Sequence, residues 1–97
     1  MKLVFHALVE DDLNDAVDWY ESRRESLGEE FLLSLYKSFA LIENKPTIFQ
    51  IKYFDFRICL IDRFPYSIHY TVIDEDTIFV SGVWYASANP AWWLRRV

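Results

Sequence analysis

The side chains best suited to chemistry in this 97-residue sequence are cationic or phenolic, and they concentrate in its second half. Arginine and lysine can hold phosphate groups, and aromatic rings can stack on a nucleic-acid base. An RNA-cleaving site would set arginines against the developing phosphate charge and use a histidine or tyrosine as acid or base. The alternative is a set of ordinary surface cations beside half-buried rings. The residues concerned are Lys52, Arg57, Arg63, Tyr66, His69, Tyr70, Tyr85, Arg95 and Arg96.

Composition excludes several other kinds of site. Two glycines are too few for a glycine-rich phosphate loop, and the sequence holds no zinc signature or nucleophile elbow. The single cysteine, Cys59, can form neither an intramolecular disulfide nor a cysteine metal cluster, which suits a reducing cytoplasm. A net charge of −5 argues against wholesale binding to nucleic acid or to an anionic membrane. We therefore expect a cytoplasmic protein without metal, cofactor, signal peptide or membrane span.

The first half of the chain has the periodicity of two helices. Apolar residues between Leu13 and Tyr20 recur at helical spacing, which predicts a helix over residues 10–25 with Leu27-Gly28 as its stop. A second helix is predicted over residues 29–43, and the short connection predicts an antiparallel helix hairpin. We expect Trp19 and Tyr20 to face the second helix or the sheet. The acids of the first helix are expected to form a solvated face.

After the helices the composition shifts to aromatic and β-branched residues, which favour strands. Strands are predicted over residues 2–8, 48–54, 56–62, 67–73 and 77–85. Pro65 cannot lie inside a central strand, so residues 63–66 should form a tight connection between two antiparallel strands. Helices separate from a run of hairpin-joined strands indicate one α+β domain over residues 1–97, with the helix pair on one face of a mainly antiparallel sheet.

The end of the chain is rich in tryptophan and arginine, the residues most enriched in binding hot spots. A tail this short cannot bury so many rings by itself, which predicts a partner-binding surface. The alternatives are that the tryptophans pack within the chain or pair two copies of it. The residues are Trp84, Trp92, Trp93, Arg95 and Arg96.

Short motifs follow one another in a fixed order over almost the whole chain. They are Asp12-Leu13, Ala16, Trp19-Tyr20-Glu21, Leu27-Gly28, Phe31, the run from Ile42 to Pro46, Arg57, the run from Arg63 to Tyr70, Asn89-Pro90 and Trp93. In this order they resemble the RelE/ParE toxin superfamily, whose members are often labelled plasmid stabilisation proteins. The sequence departs from that pattern at Tyr85 and Ala88, where the superfamily commonly has histidine and arginine.

The resemblance implies the toxin of a bacterial type II toxin–antitoxin pair, with a helix hairpin on a twisted sheet. Some members cleave mRNA at the ribosome and others poison DNA gyrase, and a small cognate antitoxin neutralises both kinds. By this resemblance the candidate catalytic residues are Arg57, Arg63 and Tyr85. Between the targets, the acidic chain and the missing histidine–arginine pair favour gyrase or another protein. The open alternatives are a degenerate, non-catalytic interaction domain and a ribosome-dependent mRNA endonuclease. A homodimer is a further candidate assembly.

Overall fold

Two packed helices cover one face of a five-stranded sheet in the computed structural model, which describes residues 1–97. The predicted α+β architecture, with an N-terminal strand and a helix hairpin on the sheet, is confirmed. The elements are β1 (Lys2–Phe5), α1 (Val9–Arg23), α2 (Leu27–Asn44), β2 (Ile51–Tyr53), β3 (Phe56–Leu60), β4 (Tyr66–Val72), β5 (Thr77–Tyr85) and α3 (Pro90–Leu94).

The sheet has the strand order β1-β5-β4-β3-β2. All neighbours are antiparallel except β1, which pairs in parallel with β5 from Thr77 to Val80. The predicted bounds of β5 are confirmed, whereas β1 and β2 are shorter than predicted. β1 ends at Phe5 because the chain turns directly into α1. The short helix α3 was not predicted.

The connection between α1 and α2 differs from the predicted glycine stop. Gly28 lies in the first turn of α2, and Ser26 makes the reversal in the left-handed conformation, with φ 68°. The Glu21 carboxylate accepts hydrogen bonds from the Ser26 and Gly28 N–H groups, each at 2.9 Å. A Cβ on Gly28 would lie 3.0 Å from the Val17 carbonyl oxygen. A side chain at position 28 would therefore require the two helices to shift apart by a few tenths of an ångström.

The core lies between the helix pair and the sheet. Phe31, Leu35 and Ile42 of α2 are fully buried against Ile68 and Tyr70 of β4. No helix of the chain is both long and apolar enough to cross a membrane.

Of Trp19 and Tyr20, only Tyr20 faces the second helix and the sheet as predicted. Tyr20 is buried and stacks on Phe31, with ring centroids 5.3 Å apart. Trp19 remains 42% exposed and lies under the Arg23 guanidinium, so the prediction that it faces the core is wrong. The two residues are consecutive and therefore about 100° apart around the helix, so Trp19 lies beside the buried face that contains Tyr20.

Candidate functional site

The sheet carries a second aromatic cluster on the face opposite the helix pair. Ile68 and Tyr70 of β4 belong to the main core, so by strand alternation the intervening His69 lies on the other face. Trp93 of α3 packs on His69 with ring centroids 4.8 Å apart, and Trp84 of β5 lies 4.7 Å from it. The helix α3 therefore covers this face.

His69 is fully buried and both of its ring nitrogens have hydroxyl partners. The Tyr53 hydroxyl lies 2.6 Å from Nδ1 and the Ser67 hydroxyl lies 3.2 Å from Nε2. Because a neutral imidazole has one donor and one acceptor nitrogen, two hydroxyls satisfy it completely. Burial lowers the pKa of His69 to about 4 and raises the pKa of Tyr53 to about 12. His69 is thus held neutral, without access to solvent, and is no free acid or base.

The ring of Trp84 lies directly over Gly82. A Cβ on Gly82 would lie 1.5 Å from the Trp84 Cζ3 atom, a distance no side chain can adopt. Pairing between β4 and β5 shifts by one residue here, since His69 pairs with Gly82 and Tyr70 with Val80. The shift leaves Ser81 as an extra residue, as in a β-bulge. Glycine at position 82 is therefore what allows the indole to lie flat on the sheet.

An ion pair joins the C-terminal segment, at Arg96, to α1. The Arg96 guanidinium binds the Asp12 carboxylate in a bidentate arrangement, with N–O distances of 2.7 and 2.9 Å. Asp12 also accepts the Val83 N–H at 3.2 Å, and Arg96 donates to the Ser81 carbonyl at 3.1 Å. The hydrogen bonds with Asp12 raise the pKa of Arg96. The expectation that the acids of α1 form a solvated face is therefore wrong for Asp12.

Four of the five predicted partner-binding residues line one cleft of about 270 Å³. Its walls are Leu8, Asp12, Trp84, Trp92, Arg95 and Arg96. Trp92 is 53% exposed, whereas Trp84 is 7% exposed. The fifth residue, Trp93, is half-buried and stacks on Tyr53 at 5.1 Å. Of the four predicted partner-binding residues that line the cleft, only Trp92 and Arg95 are exposed.

Two polar atoms of this region lack a protein partner. The indole N–H groups of Trp84 and Trp93 are buried and donate to no acceptor of the chain. An unpaired buried donor costs about 1–3 kcal/mol, so such groups are few in folded proteins.

The structure does not assemble the three candidate catalytic residues. Arg57 pairs with Tyr70 on β4, whereas Tyr85 pairs with Tyr66, four residues away and therefore about 13 Å along the strand. The Arg57 guanidinium donates to the Phe49 carbonyl at 2.6 Å, which fixes the segment between α2 and β2. Arg57 thus has a structural partner and lies apart from Tyr85.

Arg63 and Tyr85 lie at the same end of the sheet. The Ala86 N–H donates to the Pro65 carbonyl at 2.9 Å, which brings the turn containing Arg63 beside the end of β5. Arg63 has φ 70° and pairs with Glu30 of α2 at 3.0 Å. Tyr85 is 39% exposed, and its ring packs on Tyr66 at 4.6 Å. At this end of the sheet, the Arg63 guanidinium is thus paired with Glu30 and the Tyr85 ring is packed on Tyr66.

Three residues that contribute to the region were not predicted from the sequence: Ser67, Tyr53 and Asp12. Alternation along β4 is a signal that places Ser67 and His69 on one face, opposite the core residues. No comparable signal exists for Tyr53, which arrives from β2 at the far side of the sheet. Asp12 is one of six acidic residues in α1, and no sequence signal distinguishes it from the others.

Comparisons with known proteins agree with this architecture. Residues 3–90 match the model of the ParE toxin of type II toxin–antitoxin system, parDE. A structure of the chromosomal ParDE TA system from P. aeruginosa contains a chain that matches with a TM-score of 0.61 and 16% identity, covering 88% of this chain and 95% of that one. At this identity the likeness shows the fold alone. No curated protein sequence matches the chain. Because the family model spans nearly all of its length, the chain belongs to the ParE toxin family of type II toxin–antitoxin systems.

Proposed function

We propose that this protein inhibits bacterial growth by binding a protein target, with DNA gyrase as the first candidate, and that it does not cleave mRNA. The separation of Arg57 from Arg63 and Tyr85 carries the proposal. Phosphodiester cleavage needs an acid or base and a cation within reach of one phosphate. Here His69 is buried and neutral, and Arg57 is bound to backbone carbonyls. The Arg63 guanidinium near Tyr85 is already paired with the Glu30 carboxylate.

The charge of the chain supports the same conclusion. Its net charge is −5, and a negative chain is repelled by the phosphates of ribosomal RNA. A protein target does not impose that penalty. Gyrase is the first candidate because some members of the superfamily that the sequence resembles poison it.

We further propose that a cognate antitoxin contacts the C-terminal cleft. Trp92 offers a large exposed ring, and Arg95 beside it is an exposed cation. An aromatic and arginine pair around a desolvated pocket is the usual composition of a hot spot.

Induced expression in a bacterium, with and without the product of the neighbouring reading frame, tests the biological role. Growth arrest that the neighbour relieves is expected. In vitro, the pure protein should inhibit gyrase supercoiling and leave mRNA intact on purified ribosomes. Ribosome-dependent cleavage that Arg63→Ala abolishes would overturn the proposed target. Absence of growth arrest would contradict the proposal and favour a non-catalytic interaction domain.

A further inference from the structure

The most exposed large apolar side chain of the protein belongs to Phe54, at 70%. Phe54 lies in the two-residue loop between β2 and β3, since Tyr53 pairs with Phe56. Its φ is 46°, in the left-handed region that a bulky aromatic residue rarely adopts. Short hairpin loops usually place asparagine or glycine in that conformation. An exposed ring and a strained backbone are both unfavourable for the isolated chain, which indicates a role in binding.

Contacts on both sides hold this loop in place. The Tyr53 ring stacks on Phe56 with centroids 5.3 Å apart, and the Thr71 hydroxyl donates to the Asp55 carbonyl at 3.0 Å. The Phe54 ring is therefore presented from a fixed backbone. An anchor that is already ordered costs less conformational freedom when it binds.

The exposed surface continues into the turn between β4 and β5. Because β3 and β4 are antiparallel, the loop before β3 and the turn after β4 lie at the same end of the sheet. Ile73, directly after β4, is 57% exposed. We call the two segments, residues 54–55 and 73–76, the hairpin end. It shares no residue with the C-terminal cleft.

The charge of the hairpin end selects the kind of partner. Residues 54–55 and 73–76 contain four acidic and no basic residues. Lys2 and Lys52 in the flanking strands reduce the side-chain charge of this region to −2. Two copies that met through the hairpin end would set acid against acid, and nucleic-acid phosphates would be repelled as well. A basic protein surface is attracted instead.

We infer that the hairpin end is the surface through which this chain contacts its protein target, with the Phe54 ring in an apolar pocket and the acids of both loops against a basic rim. The inference rests on the proposed function, because it names the surface that an inhibitor of a protein target requires. An enzyme that binds DNA, as gyrase does, carries lysine and arginine to hold phosphates and can supply such a rim.

Phe54→Asn tests the anchor and relieves the backbone, because asparagine tolerates the left-handed conformation. Cells that express this variant at the abundance of the original chain should grow without arrest. The pure variant should bind gyrase at least about 30-fold more weakly, yet melt at the same temperature or higher. Leu60→Asn makes the matched exchange at a 66% exposed apolar residue at the other end of β3, and it should change the affinity less than about twofold.

A charge reversal tests the basic rim. Glu75→Lys should lower the affinity for gyrase about tenfold at low salt, and the difference should shrink as salt screens the charges. Glu25→Lys makes the same change in the connection between α1 and α2 and should have an effect under about threefold. Circular dichroism would show that each variant is folded.

Growth arrest and gyrase binding by Phe54→Asn that equal those of the original chain would overturn the inference and leave the proposed function intact. Loss of arrest together with a lowered melting temperature would also overturn it, since the ring would then serve folding. If the original chain arrests growth without binding gyrase, the growth comparison alone decides. If the original chain causes no arrest, the proposed function fails, and the inference fails with it.

Discussion

Asp12 and Arg96 are 84 residues apart in the sequence and form a bidentate ion pair at 2.7 and 2.9 Å. The pair lies where β5 continues beyond its partner β1. There Asp12 accepts the Val83 N–H and Arg96 donates to the Ser81 carbonyl, so the two side chains occupy backbone groups of an uncovered strand edge. The same pair holds the end of the chain against α1, which keeps Trp93 on His69.

Asp12→Ala should lower the free energy of unfolding by about 3 kcal/mol. Both partners are mostly buried, and removing one leaves the other charge without compensation. Chemical denaturation would measure the loss. Asp18→Ala removes an exposed acid from the same helix and should cost less than about 0.5 kcal/mol. Equal effects of the two substitutions would show that the ion pair contributes little.

Stability should fall as the pH is lowered from 7 to 4, in part because of His69. Burial lowers its pKa to about 4 in the folded state, whereas the unfolded state has a value of about 6.5. Over this interval the unfolded state binds more protons, so acid favours unfolding. The contribution is fully present above about pH 6.5 and amounts to about 3 kcal/mol.

His69→Gln removes this proton linkage while keeping a polar side chain. Unfolding experiments from pH 7 to 4 should show that the variant loses about 3 kcal/mol less than the original chain over that interval. The acidic residues are common to both proteins and cancel in the comparison. Parallel pH profiles would mean that His69 titrates normally in the folded protein.

Gly82→Ala should destabilise the protein by about 1–3 kcal/mol, because the new methyl group would overlap the Trp84 ring. The cost should largely disappear when the substitution is made in a Trp84→Ala background. A double-mutant cycle from denaturant unfolding measures this coupling. If the cost is the same in both backgrounds, the strain lies in the backbone and not in the indole contact.

Trp92 and Trp93 are adjacent but should respond oppositely to truncation. Trp93→Ala should cost about 2–3 kcal/mol of stability, since the ring packs on Tyr53 and His69. Trp92→Ala should leave stability nearly unchanged and weaken antitoxin binding by about 2 kcal/mol or more. Calorimetric titration with the antitoxin and thermal melts of the free chain separate the two effects. A Trp92→Ala variant that melts early would assign that ring to the core.

Local pattern was enough to predict the two long helices and the five strands. Local rules predict the helical spacing of Phe31, Leu35 and Ile42 and the bend at Pro65, because these features depend only on residues close in the sequence. The order of the motifs along the sequence also indicates the family. The pattern failed at Gly28, since a glycine that ends one helix and one that lets two helices approach have the same sequence signal.

The tertiary structure alone decided which polar residues meet. Asp12 finds Arg96, and Tyr53 finds His69, because β5, α3 and α1 converge at one corner and β2 returns to the far edge of the sheet. No short-range spacing encodes those pairings. The same holds for Trp93, whose type predicts an interface hot spot but whose position above a neutral, buried histidine makes it part of the second aromatic cluster. Side-chain chemistry is a property of the residue, whereas burial and partnership arise only when distant segments pack together.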